Sequence, residues 1–275
     1  MKKYVRSAAV AIPPVGRLVE QRDRLAQKLE AERETNRRLK SQVEALSAAA
    51  GRVGDAPDPA SYRYLFVVTY GRSGSTLLQG ILNSIPGYTI RGENGAAIYH
   101  LYKFHQTMAQ KAKEFAASNK QPVDPTHPWY GMHEYEEYLS IHEQRNLILD
   151  TVLRPEEDTR VVGFKEVRWY WKDTPKYVEY LRKVFPYSKF LFNTRSHDKV
   201  ANSKWWAERP EARAELERIE NLQLGILADL RHHGYHVHYD DWVADPSVLQ
   251  GMYDWLGEPF DLETVKAVMA QRHSY

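Results

Sequence analysis

The sequence predicts an α/β protein: a mostly parallel central sheet with a P-loop and flanking helices, preceded by an N-terminal coiled-coil helix. Three observations carry this. From Tyr62 onward, short apolar runs alternate with helical stretches, as in a sheet covered on both faces. The first of these runs enters a loop rich in Gly, Ser and Thr that opens directly into a helix. Upstream, aliphatic residues recur at heptad spacing.

The heptad region runs from Val15 to Leu46. With Val15 at position a, the a series is Val15, Arg22, Leu29, Asn36 and Val43, and the d series is Leu18, Leu25, Glu32, Leu39 and Leu46. No Gly or Pro interrupts 17–50. An Asn at an a position favours a two-stranded parallel pair, so a homodimer with the two following domains side by side is expected. The competing reading is one amphipathic helix lying on its own domain, and Arg22 and Glu32 weaken the seam in its favour. The stretch AAAGRVGDAPDPA has linker composition. The expected organisation is a coiled-coil segment over 1–50, a linker over 51–61 and an α/β domain over 62–275.

In that domain Tyr64–Thr69 reads as a buried strand, 71–75 as a tight loop and Thr76–Ser84 as a helix. Further strands are expected at Tyr88–Arg91, Arg160–Phe164, Lys189–Asn193 and His236–Tyr239. Helices are expected over Asn94–Ala117 and His133–Leu153, from near Pro175, from Pro210 to about His232, and over Pro246–Leu256 and Leu262–Ala270. The Pro-rich stretch between the two long helices is a loop.

Composition narrows the chemistry. The 275 residues include no cysteine, which excludes a disulfide scaffold, a thiolate zinc site and a cysteine nucleophile. Lys and Arg number 38 against 36 Asp and Glu, a net charge of +2, so no overall field directs the chain to nucleic acid. No apolar stretch approaches the roughly 20 residues of a spanning helix. The apolar run Ala8–Ile12 is too short for a signal peptide and ends at Pro13-Pro14, so a cytoplasmic protein is expected.

The most informative stretch is YLFVVTYGRSGSTLLQGILNS. Gly71 and Gly74 let the chain turn so that successive N–H groups point inward, and the helix N-terminus adds partial positive charge. Ser73, Ser75 and Thr76 supply hydroxyls and Arg72 a cation, so the loop is suited to a phosphate. A nucleoside triphosphatase would carry G-x4-G-K-[ST], which is absent here, and no carboxylate is well placed for magnesium. A small-molecule kinase is therefore the weaker reading. A coiled-coil assembly protein with a degenerate nucleotide domain is another alternative.

This loop resembles the 5′-phosphosulfate loop of sulfotransferases that use 3′-phosphoadenosine 5′-phosphosulfate (PAPS), in which Lys or Arg stands at the place of Arg72 and Ser-Gly-[ST]-[ST] follows. The family's second signature is an Arg at a strand end with a Ser eight residues on, on the following helix. Arg195 and Ser203 in KFLFNTRSHDKVANSKWW have that spacing. The ending HVHYDDWVADPSVLQGMYDWLGEPFD is similar to the family's closing unit. The resemblance covers about Tyr64 to Tyr275 and leaves out the heptad region.

It implies that Arg72, Ser73, Gly74, Ser75 and Thr76 hold the 5′-phosphate, and that Arg195 and Ser203 hold the 3′-phosphate. Arg72 and Lys165 would stabilise the bridging oxygen and the sulfuryl group. Arg91-Gly92-Glu93 looks like a shortened form of the R-C-G-E-E segment of protein-tyrosine sulfotransferases, which makes Glu93 the expected base. The rival is Glu166, next to the Lys165 that matches the K-T-H of cytosolic sulfotransferases; their His has no counterpart in register. The product would be adenosine 3′,5′-bisphosphate, and no metal is expected. For the acceptor, a carbohydrate or glycolipid hydroxyl is expected, because Trp129, Tyr130, Trp169, Tyr170, Trp171, Trp205 and Trp206 fall near loop positions. His100, His105 and His197 fall near the inferred site and are expected to be surface or supporting residues.

Overall fold

The computed structural model describes residues 13–50, 61–116 and 122–271. These form two units: helix α1 (Pro13–Ala50), and everything from residue 61 onward. In α1 the side chains are described for 16–41 and 43. The linker expected over 51–61 lies outside the described residues except for Ser61. No described helix is long and apolar enough to cross a membrane.

The second unit is built on five strands: β1 (Arg63–Val68), β2 (Tyr88–Arg91), β3 (Val161–Glu166), β4 (Lys189–Thr194) and β5 (Gly234–His238). Their order is β2-β3-β1-β4-β5 and every pair is parallel. Parallel strands need crossovers, and helices supply them. These are α2 (Ser75–Asn83), α3 (Ala97–Ala116), α4 (Glu137–Ile148), α5 (Thr174–Val184), α6 (His197–Ala201) and α7 (Ala212–Leu230). After β5 come α8 (Tyr239–Ala244), α9 (Gln250–Leu256) and α10 (Leu262–Ala270).

Side chains on a strand alternate between faces, and β1 divides the core accordingly. Tyr64, Phe66 and Val68 join Phe164, Phe190 and Phe192 under α3, α4, α5 and α7. Leu65 and Val67 join Leu191 and Val237 on the opposite face, under α2, α9 and α10. Helix α5 shows the local logic. Pro175 sits in its first turn, where no N–H is needed. Tyr177, Val178, Leu181 and Val184 form its buried stripe, and Arg182 and Lys183 face the negative end of the helix dipole.

Several expected boundaries move. The helix expected over His133–Leu153 is a 3-10 turn at Met132–Glu134, then α4, then a π-turn at Leu149–Leu153. Tyr135 and Glu136 are extended and break the run. The helix expected to start at Pro210 starts at Ala212: Pro210 lies in a turn closed by Ala212 N–H on Arg209 O at 3.2 Å, and the helical bonding begins with Glu215 N–H on Glu211 O at 2.9 Å.

The fold places the site through its connections. After β1 the chain leaves toward β2; after β4 it leaves the opposite way, toward β5. Adjacent strands with diverging connections open a crevice at their carboxyl ends, here between β1 and β4.

Candidate active site

The loop leaving β1 is shaped by two left-handed residues, Arg72 (φ +71°) and Gly74 (φ +80°). A Cβ on Gly74 would meet the Tyr239 ring at 2.0 Å, so glycine is required there by space as well as by φ. Trp205 closes on Gly71 in the same way, with its ring 2.6 Å from where a Cβ would sit. From below, Thr69 Oγ1 donates to Asn193 O at 2.7 Å and lies 2.5 Å from Ser73 Oγ. Asn193 Nδ2 donates to Ser73 O at 3.0 Å. Gln223 Nε2 donates to Thr69 O at 3.0 Å. The Ser73 hydroxyl is thus buried and committed to Thr69, which leaves its N–H as the group it can offer upward. Ser75 and Thr76 open α2, so their N–H groups have no helical acceptor.

Arg195 follows β4 across the crevice. Its guanidinium lies 4.4 Å from the centre of the Tyr239 ring, and Nη1 donates to Arg72 O at 3.0 Å. Its Nε is buried without a hydrogen-bond partner among the described residues. Arg72 Nε donates to Ser203 Oγ at 3.1 Å. Arg72, Arg195 and Ser203 are therefore brought into one cluster. Ser203 does not lie on a helix, contrary to expectation. Helix α6 ends at Ala201, and Ser203 is extended before the 3-10 turn Lys204–Trp206. Lys204 is left-handed (φ +48°), which no helix continues through.

Tyr70, Glu220 and Asp240, which the sequence alone did not mark, support this cluster together with His197. The Tyr70 hydroxyl accepts from Arg195 N–H at 2.8 Å and lies 2.7 Å from Glu220 Oε2, to which it can donate. His197 Nε2 reaches the same Glu220 oxygen at 3.0 Å. Asp240 Oδ2 accepts from Ser196 N–H at 2.9 Å, and Oδ1 from Lys199 Nζ at 2.6 Å. Partial burial pushes the Asp240 carboxyl up, but these donors outweigh it and hold the group below the usual carboxylate range. His236-Val237-His238 is an H-x-H spacing; both rings instead meet Thr194 Oγ1, at 2.7 and 2.9 Å. Burial holds His236 below the usual histidine range. Among the described residues no group of three or more His, Asp or Glu is arranged to hold a metal.

On the other side of β1, Lys165 pairs in register with Val67 and Glu166 with Val68. Buried Lys165 donates from Nζ to Glu93 Oε1 at 2.8 Å, and the Glu93 side chain is 39% exposed. Arg168 Nη1 lies 3.7 Å from Glu93 Oε2. Glu166 is used differently. Its Oε2 accepts from Asn94 N–H and Ala96 N–H, each at 3.2 Å. Its Oε1 accepts from Val167 N–H (2.8 Å), Arg168 N–H (3.2 Å) and Arg168 Nη1 (3.1 Å). A buried carboxylate with five donors ties the start of α3 to the end of β3 and has no lone pair left for an acceptor hydroxyl.

The aromatic residues separate by burial. Trp169 is fully buried against Phe164 and Tyr177, and Trp206 is buried with Nε1 on Gly71 O at 3.1 Å. Both are core rather than ligand surface. Tyr170 and Trp171 follow β3, Trp171 stacked on Tyr99 at 3.8 Å, and exposed Trp205 stands over the loop. Trp129 and Tyr130 are exposed between α3 and α4. His100 is exposed, while His105 is buried 3.6 Å from Glu137.

A family model described as the sulfotransferase family matches residues 64–262. The sulfotransferase domain of the Synechococcus PCC 7002 olefin synthase is 21% identical, covers 80% of each chain and has a TM-score of 0.48. The sulfotransferase domain from the curacin biosynthetic pathway is 17% identical, covers 74% of this chain and 76% of its own, with a TM-score of 0.45. The sulfotransferase STF9 from Mycobacterium avium is 15% identical, covers 85% of this chain and 71% of its own, with a TM-score of 0.40. No curated protein matches. With the family model spanning well over half of its length, the chain belongs to the sulfotransferase family.

Proposed function

We propose that the protein transfers a sulfuryl group from PAPS to an acceptor hydroxyl, and that the acceptor is a carbohydrate or glycolipid. The observation that carries the donor assignment is the junction of Arg195, Arg72 and Ser203 beside the β1 loop, with a buried Arg195 Nε lacking a partner among the described residues. A guanidinium nitrogen left unsatisfied is costly unless a ligand completes it. One anion on the N–H groups of Ser73, Gly74, Ser75 and Thr76, and a second on the side of Arg195 and Ser203, meet these donors, so the residues present fit a nucleotide carrying two separate phosphates.

When bound, PAPS supplies an activated sulfuryl group. The chain does the rest. Arg72 and Lys165 oppose the negative charge that develops as the sulfur–oxygen bond to phosphate breaks. Glu93 takes the proton of the acceptor hydroxyl as the new oxygen–sulfur bond forms. It is the half-exposed carboxylate of the pair, and its contact with Lys165 sets the base beside the cation. Glu166, with its five donors, positions both. The rim residues Tyr170, Trp171 and Trp205 support a ring-shaped acceptor, since sugar faces stack on aromatic rings.

The test is calorimetry with adenosine 3′,5′-bisphosphate, AMP and ATP. The bisphosphate should bind best and, at 100 times its dissociation constant, stabilise the fold by about 2.7 kcal/mol. Arg195→Ala should weaken the bisphosphate far more than AMP. Equal binding of AMP and the bisphosphate would exclude the 3′-phosphate site.

A further inference from the structure

We infer that two copies of the chain associate through α1 as an antiparallel two-stranded coil, with Arg22 of each copy facing Glu32 of the other. Leu18, Leu25, Leu29 and Leu39 lie on one stripe of α1 and are 64%, 66%, 53% and 52% exposed. Glu32, in the middle of that stripe, has no ion partner among the described residues, and Arg22 reaches only its neighbour Asp23. The charges decide the orientation. The seam edges, positions e and g, hold Val19, Gln21, Ala26, Lys28, Arg33, Thr35, Lys40 and Gln42, with no acidic residue. The acidic residues Glu20, Asp23, Glu30 and Glu34 all fall on positions b and f, away from the seam.

In a parallel, in-register pair each seam residue meets itself. Arg22 stacks on Arg22, Glu32 on Glu32, and Lys28 lies beside Arg33 along both edges, with no opposite charge to offset them. Reversing one helix makes a residues meet d residues. In the register that sets Leu25 against Leu29, Arg22 falls opposite Glu32 and Leu18 opposite Asn36, each twice by symmetry. Both seam charges then find opposite partners. The one like-charge contact is Lys28 with its own copy at the centre. Asn36 moves toward the ends of the overlap, where water reaches it, and Val43 lies beyond it. Sliding by one heptad would instead face Arg22 with Leu39 and Glu32 with Leu29, leaving both charges unpaired.

The test uses the full chain. Sedimentation at micromolar concentration should show a dimer. Arg22→Glu and Glu32→Arg should each raise the dimer dissociation constant, by about tenfold for two reversed contacts. Combining them should restore it, because the exchange recreates opposite charges only in the reversed orientation. The chain has no cysteine, so a single introduced thiol reports its own position. Arg22→Cys chains mixed with Glu32→Cys chains, whose thiols face each other across the seam in this register, should form a disulfide between the two variants on oxidation, and Arg22→Cys alone should not. A full-length monomer would overturn the proposal, as would a disulfide from Arg22→Cys alone or a double exchange that fails to restore association.

Discussion

Glu93 and Glu166 are both carboxylates close to the end of a strand, and sequence alone left the choice between them open. What separates them is occupancy. Glu166 accepts five hydrogen bonds and is buried; Glu93 holds one close contact, to Lys165, and keeps a solvent-facing surface. Glu93→Gln should therefore keep bisphosphate affinity and lower turnover by roughly 10²–10⁴-fold. Glu166→Gln should destabilise the fold by about 2 kcal/mol, because it replaces an ionised acceptor with an amide that cannot satisfy the same donors. Thermal melts beside initial rates for both variants decide the matter. A stable, inactive Glu166→Gln together with an active Glu93→Gln would move the base to Glu166. The Ser73 hydroxyl meets Thr69 for a reason sequence does not carry: the two are only four residues apart, but the contact depends on the turn and on Asn193 from another strand.

At the scale of elements, the loop between β1 and α2 is held by its neighbours as much as by its own sequence. Gly74→Ala would place a Cβ in a left-handed residue and against Tyr239, the ring that carries Arg195. Strain and clash together amount to about 2–4 kcal/mol. Bisphosphate affinity measured by calorimetry should fall by at least about tenfold; unchanged affinity would show that Tyr239 can move away without consequence. The strands themselves were legible. β2 matches its expected span, and β1, β3, β4 and β5 shift by one or two residues at an end, because the apolar residues of each mark its centre while polar residues blur its limits. The less legible parts depend on single backbone conformations. Left-handed Lys204 cuts the helix that was expected to carry Ser203, and extended Tyr135 and Glu136 split the long helix before β3. Tyr70 and Tyr239 were overlooked because nothing local marks a tyrosine that works by touching a residue more than a hundred, or more than forty, positions away.

At the scale of the whole second unit, the connection between α9 and α10 is fastened to the amino-terminal edge of the sheet by one acid. Glu258 accepts from both terminal nitrogens of Arg160, from Arg63 Nη2 at 2.8 Å and from Tyr88 OH at 3.1 Å. Hydrogen bonding to Arg160 leads in pulling its pKa down, from 4.5 to about 2. A depressed carboxylate contributes stability that is fully present above its unfolded value and is lost as pH falls through the folded one. The window is therefore about pH 4.5 down to about 2. The shift corresponds to ~3 kcal/mol at most, and to roughly 1–2 kcal/mol once solvent screening of the half-exposed arginines is allowed for. Glu258→Gln should lower stability at pH 7 by that amount and flatten the acid limb, as read from urea melts at pH 7 and pH 3. An unchanged acid limb would assign the linkage to other carboxylates.

The cluster of Arg195, Arg72 and Ser203 around the β1 loop also bears on timing. In the proposed reaction these groups hold the two phosphates, which are the same before and after transfer; only the bond to sulfur changes. The spent nucleotide therefore leaves with almost the full set of contacts that brought the donor in, and Thr69, Asn193 and Tyr70 keep the cluster from loosening. Departure of the product, rather than the chemical step, should then set the pace. Rapid mixing of enzyme, donor and acceptor should give a burst of about one sulfated product per active site, followed by a slower steady phase that added adenosine 3′,5′-bisphosphate suppresses. A linear time course from the first turnover would place the slow step at or before transfer.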